Sequence, residues 1–429
     1  MSIQVETKSA VTQNLLEQLQ KHAGKIAFMP DAEIVSAIRL LEDKGIPNNK
    51  NEDYKYCNVE AVLRKEFKQV EQSFNELTNA DIAPLKLDEA INLVVVNGNY
   101  NHDLSEKIIV KGLTINSLTE LSAEEKALLS SQAKSETDAL IALNTAFSGN
   151  GIFFQVDKNN TIPMPIHIIY VNSGSSNVVT NTRSFIHIGA SAEVTLVESF
   201  FNIGTGKVFS NFVSEKFVGE NAKLTCYTFQ NEGSLSYSVN TNQVKISKYS
   251  NYSNTTATLS GELVRNNHNV VIAESNSEAH LNGLFISRGT QQIDNHTLID
   301  HQMPHCESNE LYKGIAKDKS TGTFNGKIFV RKDAQKTNAY QSSKNILMSD
   351  DATINTKPQL EIYADDVKCS HGTSTGKIDT EALFYLKARG IGEESARKLL
   401  LQAFAQELIN KIEIPSLQER VLHLFEKAL

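Results

Sequence analysis

The chain has 429 residues, of which 40% are hydrophobic and 21% charged, and its formal net charge is −8 at pH 7. This length predicts two or three domains, and the composition is typical of a folded rather than a disordered protein. Nucleic-acid binding needs a concentrated basic surface, and neither the net charge nor any basic run provides one.

The N-terminus and the hydropathy predict a cytoplasmic protein. The opening segment MSIQVETKSAVTQNLLEQL has no apolar stretch behind a positive end, so no secretory signal is expected. No stretch approaches ~20 uninterrupted apolar residues, so no transmembrane helix is expected. Cys57, Cys226, Cys306 and Cys369 are far apart and form no CxxC pair. Free thiols are therefore expected rather than disulfides.

The first 150 residues (1–150) are predicted to form a mainly helical N-terminal domain with a short strand segment. Apolar residues recur at helical spacing in residues 15–22, and a second helix is expected from Asp31 to Gly45. The β-branched run INLVVVNGNY ends in an Asn-Gly turn and predicts a strand. A further helix is expected from Ala123, with acidic residues in its first turn.

Residues 151–375 are predicted to form a β-solenoid core. Short alternating runs such as AEVTLVESF, AKLTCYTF and FNGKIFV are separated by turn residues, and similar segments begin at Ala192, Ala222 and Ala279. Many short strands without helical breaks are typical of a sandwich, a barrel or a β-solenoid. The run SNYSNTTATLSG favours the solenoid, where stacked polar side chains hydrogen-bond along the axis, and a sandwich is the alternative.

Residues 376–429 are predicted to form a C-terminal helical domain for partner docking. Asp379 or the next residue caps the first helix, and Gly390 ends it. A long amphipathic helix follows, and Ser416 with Glu419 predicts a capping box for a final helix. Paired amphipathic helices after a β domain are a suitable docking surface for another protein.

The segment YADDVKCSHG (residues 363–372) carries the densest group of potential metal ligands. On an extended backbone alternate side chains share a face, so Val367, Cys369 and His371 are expected to point the same way. A thiolate and an imidazole on one face can hold a soft or borderline metal ion. Two ligands do not complete a site, and the alternative is a buried thiol beside an unrelated histidine.

A second cluster, DHQMPHCES, contains His301, His305 and Cys306. Pro304 indicates a turn or a strand end, and a polar loop is the alternative to a ligand cluster. If the two clusters met in space, four or five nitrogen and sulfur ligands would be available. The sequence does not place them together.

Asp365 and Asp366 raise a different hypothesis, a carbohydrate-active β-solenoid enzyme with paired carboxylates. Adjacent residues on a regular strand face opposite sides, so these two carboxylates are not expected to act on one substrate. The chain also lacks GxxxxGK[ST] and HExxH motifs. A scaffold or subunit is therefore favoured over an enzyme.

The segment ARGIGEESARKLL resembles a helix–hairpin–helix, in which a glycine-rich turn offers backbone N–H groups to a DNA phosphate. It occurs once, and basic residues do not cluster around it. A glycine-based turn between two amphipathic helices is the plainer interpretation.

Several strings from His301 onward together resemble the SufB/SufD family of the SUF iron–sulfur cluster assembly machinery. They are HQMPHCESNELYKGI, FNGKIFV, AQKTNAYQSSKNILMSDDATINTKPQLEIYADDVKCSHG and ALFYLKARGI. The string GIPNNKNEDYKY resembles the family's N-terminal motif, with Tyr54 where many relatives have Trp. YADDVKCSHG is similar to the SufD branch rather than the SufB branch, and TSTG follows CSHG where relatives often have ATVG.

The resemblance implies a right-handed parallel β-helix between helical N- and C-terminal domains, and a non-catalytic scaffold with two partners. These are a SufB-like paralogue with the same β-helix and a SufC-like ABC ATPase that docks on the C-terminal helices. A homodimer is expected where the paralogue is absent. The apolar residues predicted for partner docking are Leu383, Leu386, Ile391, Ala396, Leu399, Leu400 and Phe404.

The family's histidine in the CSHG string maps onto His371. The resemblance implies that His371 is a ligand for transient iron or a nascent cluster at the contact with the paralogue. Cys369 is the weaker second ligand, and the sulfur-accepting cysteines of the paralogue are not carried over. No cofactor is expected to stay bound to this chain alone, and neither nucleic acid nor membrane is expected as a partner.

Overall fold

The computed structural model describes residue 13 and residues 28–67, 76–108, 110–129 and 132–429. In this part of the chain two sheets form a β-solenoid of about eight turns, with helices before and after it. The predicted solenoid is thus confirmed over the sandwich and the barrel. The helix predicted in residues 15–22 lies outside the described residues.

Nineteen strands are described, and most have 9 to 11 residues. They are β1 (Ile91–Val96), β2 (Asn99–Tyr100), β3 (Leu113–Ser117), β4 (Gly151–Val156), β5 (Ile166–Asn172), β6 (Val178–Ile188), β7 (Glu193–Asn202), β8 (Val208–Val218), β9 (Lys223–Asn231), β10 (Ser236–Ile246), β11 (Asn251–Ser260), β12 (Leu263–Ile272), β13 (Glu278–Ser287), β14 (Gln292–His301), β15 (Glu307–Ala316), β16 (Thr321–Val330), β17 (Asn338–Leu347), β18 (Thr353–Ile362) and β19 (Lys368–Gly376).

The α-helices of the described ranges lie on either side of this strand region or between its first strands. They are α1 (Asp31–Lys44), α2 (Val59–Glu66), α3 (Asn79–Ile82), α4 (Ala123–Leu128), α5 (Ala139–Phe147), α6 (Thr380–Ala388), α7 (Glu393–Ile409) and α8 (Pro415–Ala428).

Consecutive strands alternate between the two sheets. Sheet A contains β1, β2 and the odd-numbered strands from β5 to β19, and sheet B contains β3 and the even-numbered strands from β4 to β18. From β5 onward each strand pairs in parallel with the strand two places later. Because β1 pairs with β5 and β3 with β4, the strands of the predicted N-terminal domain belong to the solenoid sheets.

The repeat seen in the sequence corresponds to one coil of the solenoid. β7, β9 and β11 begin at residues 193, 223 and 251, so a coil takes 30 and then 28 residues. Ala192 and Ala222 are buried at the corner immediately before their strands. A small side chain suits this corner, because it packs in the interior apolar cluster of the solenoid.

Polar side chains hydrogen-bond inside the solenoid, as the Asn-rich run predicted. Asn266 Nδ2 donates to Asn295 Oδ1 at 3.0 Å, one coil further along, and Gln230 Nε2 donates to Asn266 Oδ1 at 2.9 Å. Thr228 Oγ1 donates to Asn254 Oδ1 at 3.1 Å. The first coils have a more apolar interior, which includes Leu196. Hydrogen-bonded polar groups therefore replace part of the apolar packing in the later coils.

Helices cover the outer faces of both sheets. Leu401 and Leu408 of α7 share an apolar cluster with Phe229 and Leu284 of sheet A. On sheet B, the N-terminal helices contribute Leu41, Leu63 and Leu140 to a cluster with Phe209 and Val239. The coils under these helices are thus buried on both faces, which removes the alternation of polar and apolar residues.

The ends of the helices test the sequence predictions directly. Asp379 caps α6, because its Oδ1 accepts hydrogen bonds from the backbone N–H groups of Glu381 at 2.8 Å and Ala382 at 3.1 Å. The capping box predicted for the last helix is wrong. α8 begins at Pro415, which is favoured at the first helical position, and the Ser416 hydroxyl donates to Glu89 instead.

The last two strands have no further coil beside them. β18 is the edge of sheet B and β19 the edge of sheet A. Every residue of β19 except the half-buried Cys369 is exposed. No helix of the described ranges is long and apolar enough to cross a membrane.

Candidate metal site and docking surfaces

β19 carries both residues of the predicted metal pair. The strand is extended from Lys368 to Gly376, so Cys369 and His371 lie on the same face, as predicted. Cys369 is aligned with Ala339 of β17, and His371 with Gln341. The pair therefore lies at the uncovered end of sheet A, which we call the open end of the solenoid (β18, β19 and the corner between them).

The two side chains differ in their surroundings. Cys369 is half-buried and packs with Val367 against a cluster that includes Ile328 and Ala339. This burial raises the pKa of the Cys369 thiol, so the thiolate that a metal ion requires is disfavoured. His371 is exposed and is thus accessible to an incoming partner or ion.

The second predicted cluster does not converge. His301 is fully buried, and its Nε2 lies 2.8 Å from Ser308 Oγ. Burial lowers the pKa of His301 to about 4, so the ring is neutral. Cys306 is buried at a corner with its Sγ 3.4 Å from the Glu274 carbonyl oxygen, whereas His305 is exposed in a left-handed turn. Within the described ranges no three His, Cys, Asp or Glu side chains could hold one metal ion.

Asp365 and Asp366 lie at the corner before β19, not on a strand. Asp366 forms an ion pair with Lys336, and its backbone N–H donates to Gln335 Oε1 at 2.9 Å. Asp365 is exposed. The Asp365 carboxylate therefore faces solvent, whereas Asp366 connects two successive coils. The two carboxylates form no acid–base pair.

The predicted docking residues of the C-terminal helices fall into three classes of burial. Leu399 is exposed, Ala396 is buried, and Leu383, Leu386, Ile391, Leu400 and Phe404 are half-buried. Phe404 belongs to the packing of α7 on sheet A, because Lys313 Nζ lies 4.8 Å from its ring centroid and donates to its carbonyl oxygen at 2.6 Å. Ala396 and Phe404 are therefore not available on the free surface.

The most exposed apolar residues of this helix pair are two that sequence reasoning missed. Phe384 is 74% exposed and Tyr385 58%, compared with 46% for Leu399. The signal was present in the string ALFYL, because five consecutive apolar residues of a helix cannot all face the same core. We call Phe384, Tyr385 and Leu399 the helix-pair surface.

The turn between α6 and α7 is built as a glycine turn. Gly390 has a φ of 87°, which favours glycine, and Glu393 at the start of α7 accepts from Lys387 at 2.7 Å and from Arg397 at 2.9 Å. These hydrogen bonds lower the pKa of Glu393 to about 2. Lys387 and Arg397 are thus paired with a carboxylate, and Arg389 lies over the Tyr385 ring. These contacts argue against DNA-phosphate binding.

Sequence reasoning also missed two buried polar residues in line with His371. Glu310 of β15 is aligned with Gln341 of β17, which is aligned with His371. Burial raises the pKa of Glu310 to about 7. Their spacing in the sequence could have indicated this alignment, because Gln341 follows Glu310 by 31 residues, which is about one coil.

Comparison with known proteins gives consistent matches over most of the chain. A family model described as SUF system FeS cluster assembly, SufBD core domain, matches residues 170–404, and one described as SufBD protein N-terminal region matches residues 16–168. An iron–sulfur cluster assembly SufBD family protein of Synechocystis is 30% identical over 421 residues, 94% of this chain and 93% of the relative.

Two further relatives carry the name iron–sulfur cluster assembly protein SufD. The Escherichia coli protein is 28% identical over 388 residues, which are 90% of either chain. The Bacillus subtilis protein is 28% identical over 342 residues, 76% of either chain. The matched regions include the solenoid, the open end and most of the C-terminal helix pair.

Proposed function

Because the chain belongs to the SufB/SufD family of iron–sulfur cluster assembly proteins, we propose that it is the SufD-type, non-catalytic scaffold subunit of a SUF complex. In this role it pairs with a SufB-like paralogue through the open end and docks a SufC-like ATPase on the C-terminal helices. The observation that supports the proposal most is that the part of the chain matched by the family models carries two separate uncovered surfaces on one solenoid.

The open end supports pairing with another β-helix. β18 and β19 each pair on one side only, so their other edges present unpaired backbone groups. Ile362 is 40% exposed and Tyr363 60%. Strand edges flanked by exposed apolar side chains suit the edges of a second solenoid, since backbone hydrogen bonds and side-chain burial then act together. A second copy of this chain is the occupant expected when the paralogue is absent.

The helix-pair surface supports docking of a separate ATPase. The chain carries no GxxxxGK[ST] motif of its own, so nucleotide chemistry falls to another subunit. Phe384, Tyr385 and Leu399 present apolar and aromatic area next to charged residues, which is the usual make-up of a protein interface. Because α7 packs on sheet A, a force on these helices acts on the solenoid.

His371 is the residue we assign to the cargo, an iron ion or a nascent cluster. The open end offers one accessible imidazole and one half-buried thiol, and no third ligand from the described ranges joins them. Iron and iron–sulfur clusters require more ligands than this. The paralogue therefore completes the site, which places the cargo at the contact between the two solenoids.

The carbohydrate-enzyme alternative has no comparable support. Asp366 is ion-paired and Asp365 faces solvent, so the corner offers no pair of carboxylates spaced for glycoside cleavage.

The experiment is co-expression with the SufB and SufC proteins of the same organism, followed by capture through a tag on this chain. We expect both to co-elute in fixed stoichiometry. Deletion of all residues after Asp379 would uncover sheet A, so point substitutions in the helix-pair surface are the better probe for the ATPase contact. Emergence of this chain alone under reducing conditions would contradict the proposal.

The role of His371 is tested separately, by cluster assembly in the reconstituted complex. We expect His371→Ala to abolish or strongly slow assembly without loss of either partner. The matched control is His305→Ala, because His305 is also exposed but lies at a corner of an earlier coil. Unchanged assembly with His371→Ala would refute its assignment as a ligand.

A further inference from the structure

Three side chains form a row that leads from the interior of the solenoid to the open end. Glu310, Gln341 and His371 occupy equivalent positions on β15, β17 and β19. Glu310 and Gln341 are each only 3% exposed. In a parallel sheet aligned residues lie on the same face, about 4.8 Å apart from strand to strand. Gln341 is therefore the buried residue immediately next to His371.

The orientation of the Gln341 amide follows from its contact with Glu310. Gln341 Nε2 donates a hydrogen bond to a carboxylate oxygen of Glu310. Because the amide nitrogen of Gln341 faces Glu310 in this contact, its carbonyl oxygen faces away from that carboxylate oxygen. Gln341 Oε1 is buried and has no hydrogen-bond partner within the described ranges. An unsatisfied buried acceptor costs about 1–3 kcal/mol, so a donor is expected at this oxygen.

A glycine on the opposite sheet makes room for this amide. A Cβ atom on Gly326 of β16 would come within 2.3 Å of Gln341 Nε2. Gly326 does not have a positive φ, so its backbone conformation does not require glycine. Glycine is required at this position because it leaves space for the side chain of Gln341. The amide of Gln341 is thereby held between β16 and Glu310.

We propose that Gln341, held by Glu310 and Gly326, is the positioning residue for His371. When the exposed His371 ring turns toward this amide, a contact that the structure does not contain, Gln341 Oε1 accepts a hydrogen bond from one ring N–H. The lone pair of the other ring nitrogen is then left for the cargo at the open end. Histidine ligands commonly use this arrangement, because the acceptor selects the tautomer, fixes the ring and increases its basicity. The inference rests on the proposed role of His371 as a ligand.

The first test reads the imidazole itself and needs no partner. The full chain is labelled with ¹⁵N in the rings of its 11 histidines, and the His371 signals are identified by their loss in His371→Ala. We expect Gln341→Met, which keeps the size of the side chain and removes its acceptor, to change the proportion of the two ring tautomers of His371. Ser343→Ala is the control, because Ser343 is equally buried on β17 but is aligned with Thr373.

The second test is a double-mutant cycle in the reconstituted complex. We expect Gln341→Met to slow cluster assembly by about tenfold or more, the usual loss when such a partner of a histidine ligand is removed. In a His371→Ala background the same substitution should cause no additional loss. Thermal melting of each variant shows whether it folds, and Gly326→Ala, which displaces Gln341 without changing it, replaces Gln341→Met if that variant does not.

The outcomes separate this inference from the proposed function. Unchanged His371 resonances in Gln341→Met, or equal losses of assembly in the two backgrounds, would overturn the positioning role while His371 keeps its assignment. Normal assembly with His371→Ala alone would instead refute the proposed role of His371 as a ligand, on which this inference rests.

Discussion

Replacing Phe384 with alanine is expected to weaken docking of the ATPase by roughly 30-fold or more while the fold stays intact. The side chain is 74% exposed, so it contributes little to the core. The free energy of unfolding should therefore change by less than about 0.5 kcal/mol, as for most surface substitutions. Loss of affinity without loss of stability is the expected signature of a residue that acts only at an interface.

The magnitude follows from the exposed area. A phenylalanine side chain buries about 200 Å², so about 150 Å² of Phe384 is available to a partner. At about 25 cal/mol per Å² this area corresponds to at most about 3.7 kcal/mol. Truncation of a central interface residue costs about 2–4 kcal/mol. Since about 1.4 kcal/mol is a factor of ten, the Kd should rise roughly 30- to 400-fold.

The assay is calorimetric titration of the purified chain with the SufC-like ATPase. Tyr363→Ala is the matched control, because Tyr363 is also an exposed aromatic residue, 60% exposed, but lies at the open end. It should leave ATPase affinity unchanged and weaken pairing with the paralogue. An unchanged Kd for Phe384→Ala would refute the assignment of the helix-pair surface, and so would a loss of ATPase affinity in Tyr363→Ala.

Two further predictions concern buried ionisable groups. Glu215→Ala leaves the fully buried Arg183 guanidinium without its carboxylate partner, so we expect a loss of about 3–5 kcal/mol in denaturant unfolding. Removing the exposed Glu193 partner of Lys223 should cost less than about 1 kcal/mol, and equal losses would contradict the argument. For Glu310, burial raises the folded-state pKa to about 7 from its ordinary value of 4.5, so the folded state binds more protons between these pH values and loses stability as the pH rises through them. Glu310→Gln removes this pH-dependent loss. The change in unfolding free energy that the substitution causes should therefore become about 2–3 kcal/mol more favourable from pH 5 to pH 8. A pH-independent change would show that the pKa of this carboxyl is not raised.

The solenoid could be predicted because its corners and its interior require particular residue types that recur in the sequence. Ala192 and Ala222 are 30 residues apart and mark the same corner of successive coils. The polar run at residues 250–261 corresponds to β11, whose Asn254 bonds to Thr228 of the neighbouring coil. These features recur with the coil, so a single sequence was enough to favour a solenoid over a sandwich.

The strands that packing buries on both faces were harder to interpret. Phe229 and Leu284 point out of the solenoid but lie under the C-terminal helices, so their strands do not alternate between polar and apolar residues. For the same reason the sequence did not indicate that β1 belongs to sheet A, since Ile91–Val96 is apolar at every position except Asn92. Coverage by distant helices is a tertiary property that a local pattern does not contain.

The candidate site was predictable only in part. The shared face of Cys369 and His371 followed from strand geometry, because the two residues are two positions apart on β19. Their neighbours did not follow, because alignment of Gln341 with His371 depends on the length of every corner between them. A coil of one residue more or less would turn a different side chain toward His371.

The two uncovered surfaces are joined through β15, which supports their action as parts of one rigid body. On its outer side Lys313 pairs with Glu407 of α7 at 2.7 Å and bonds to the Phe404 carbonyl oxygen. On its inner side Glu310 holds Gln341, the neighbour of His371. A strand that is hydrogen-bonded on both sides does not shift alone, so displacement of the helices must move the sheet as a unit. Phe384 lies on α6 and Tyr363 at the corner after β18, so substitutions of these two residues should have additive effects on the two partners.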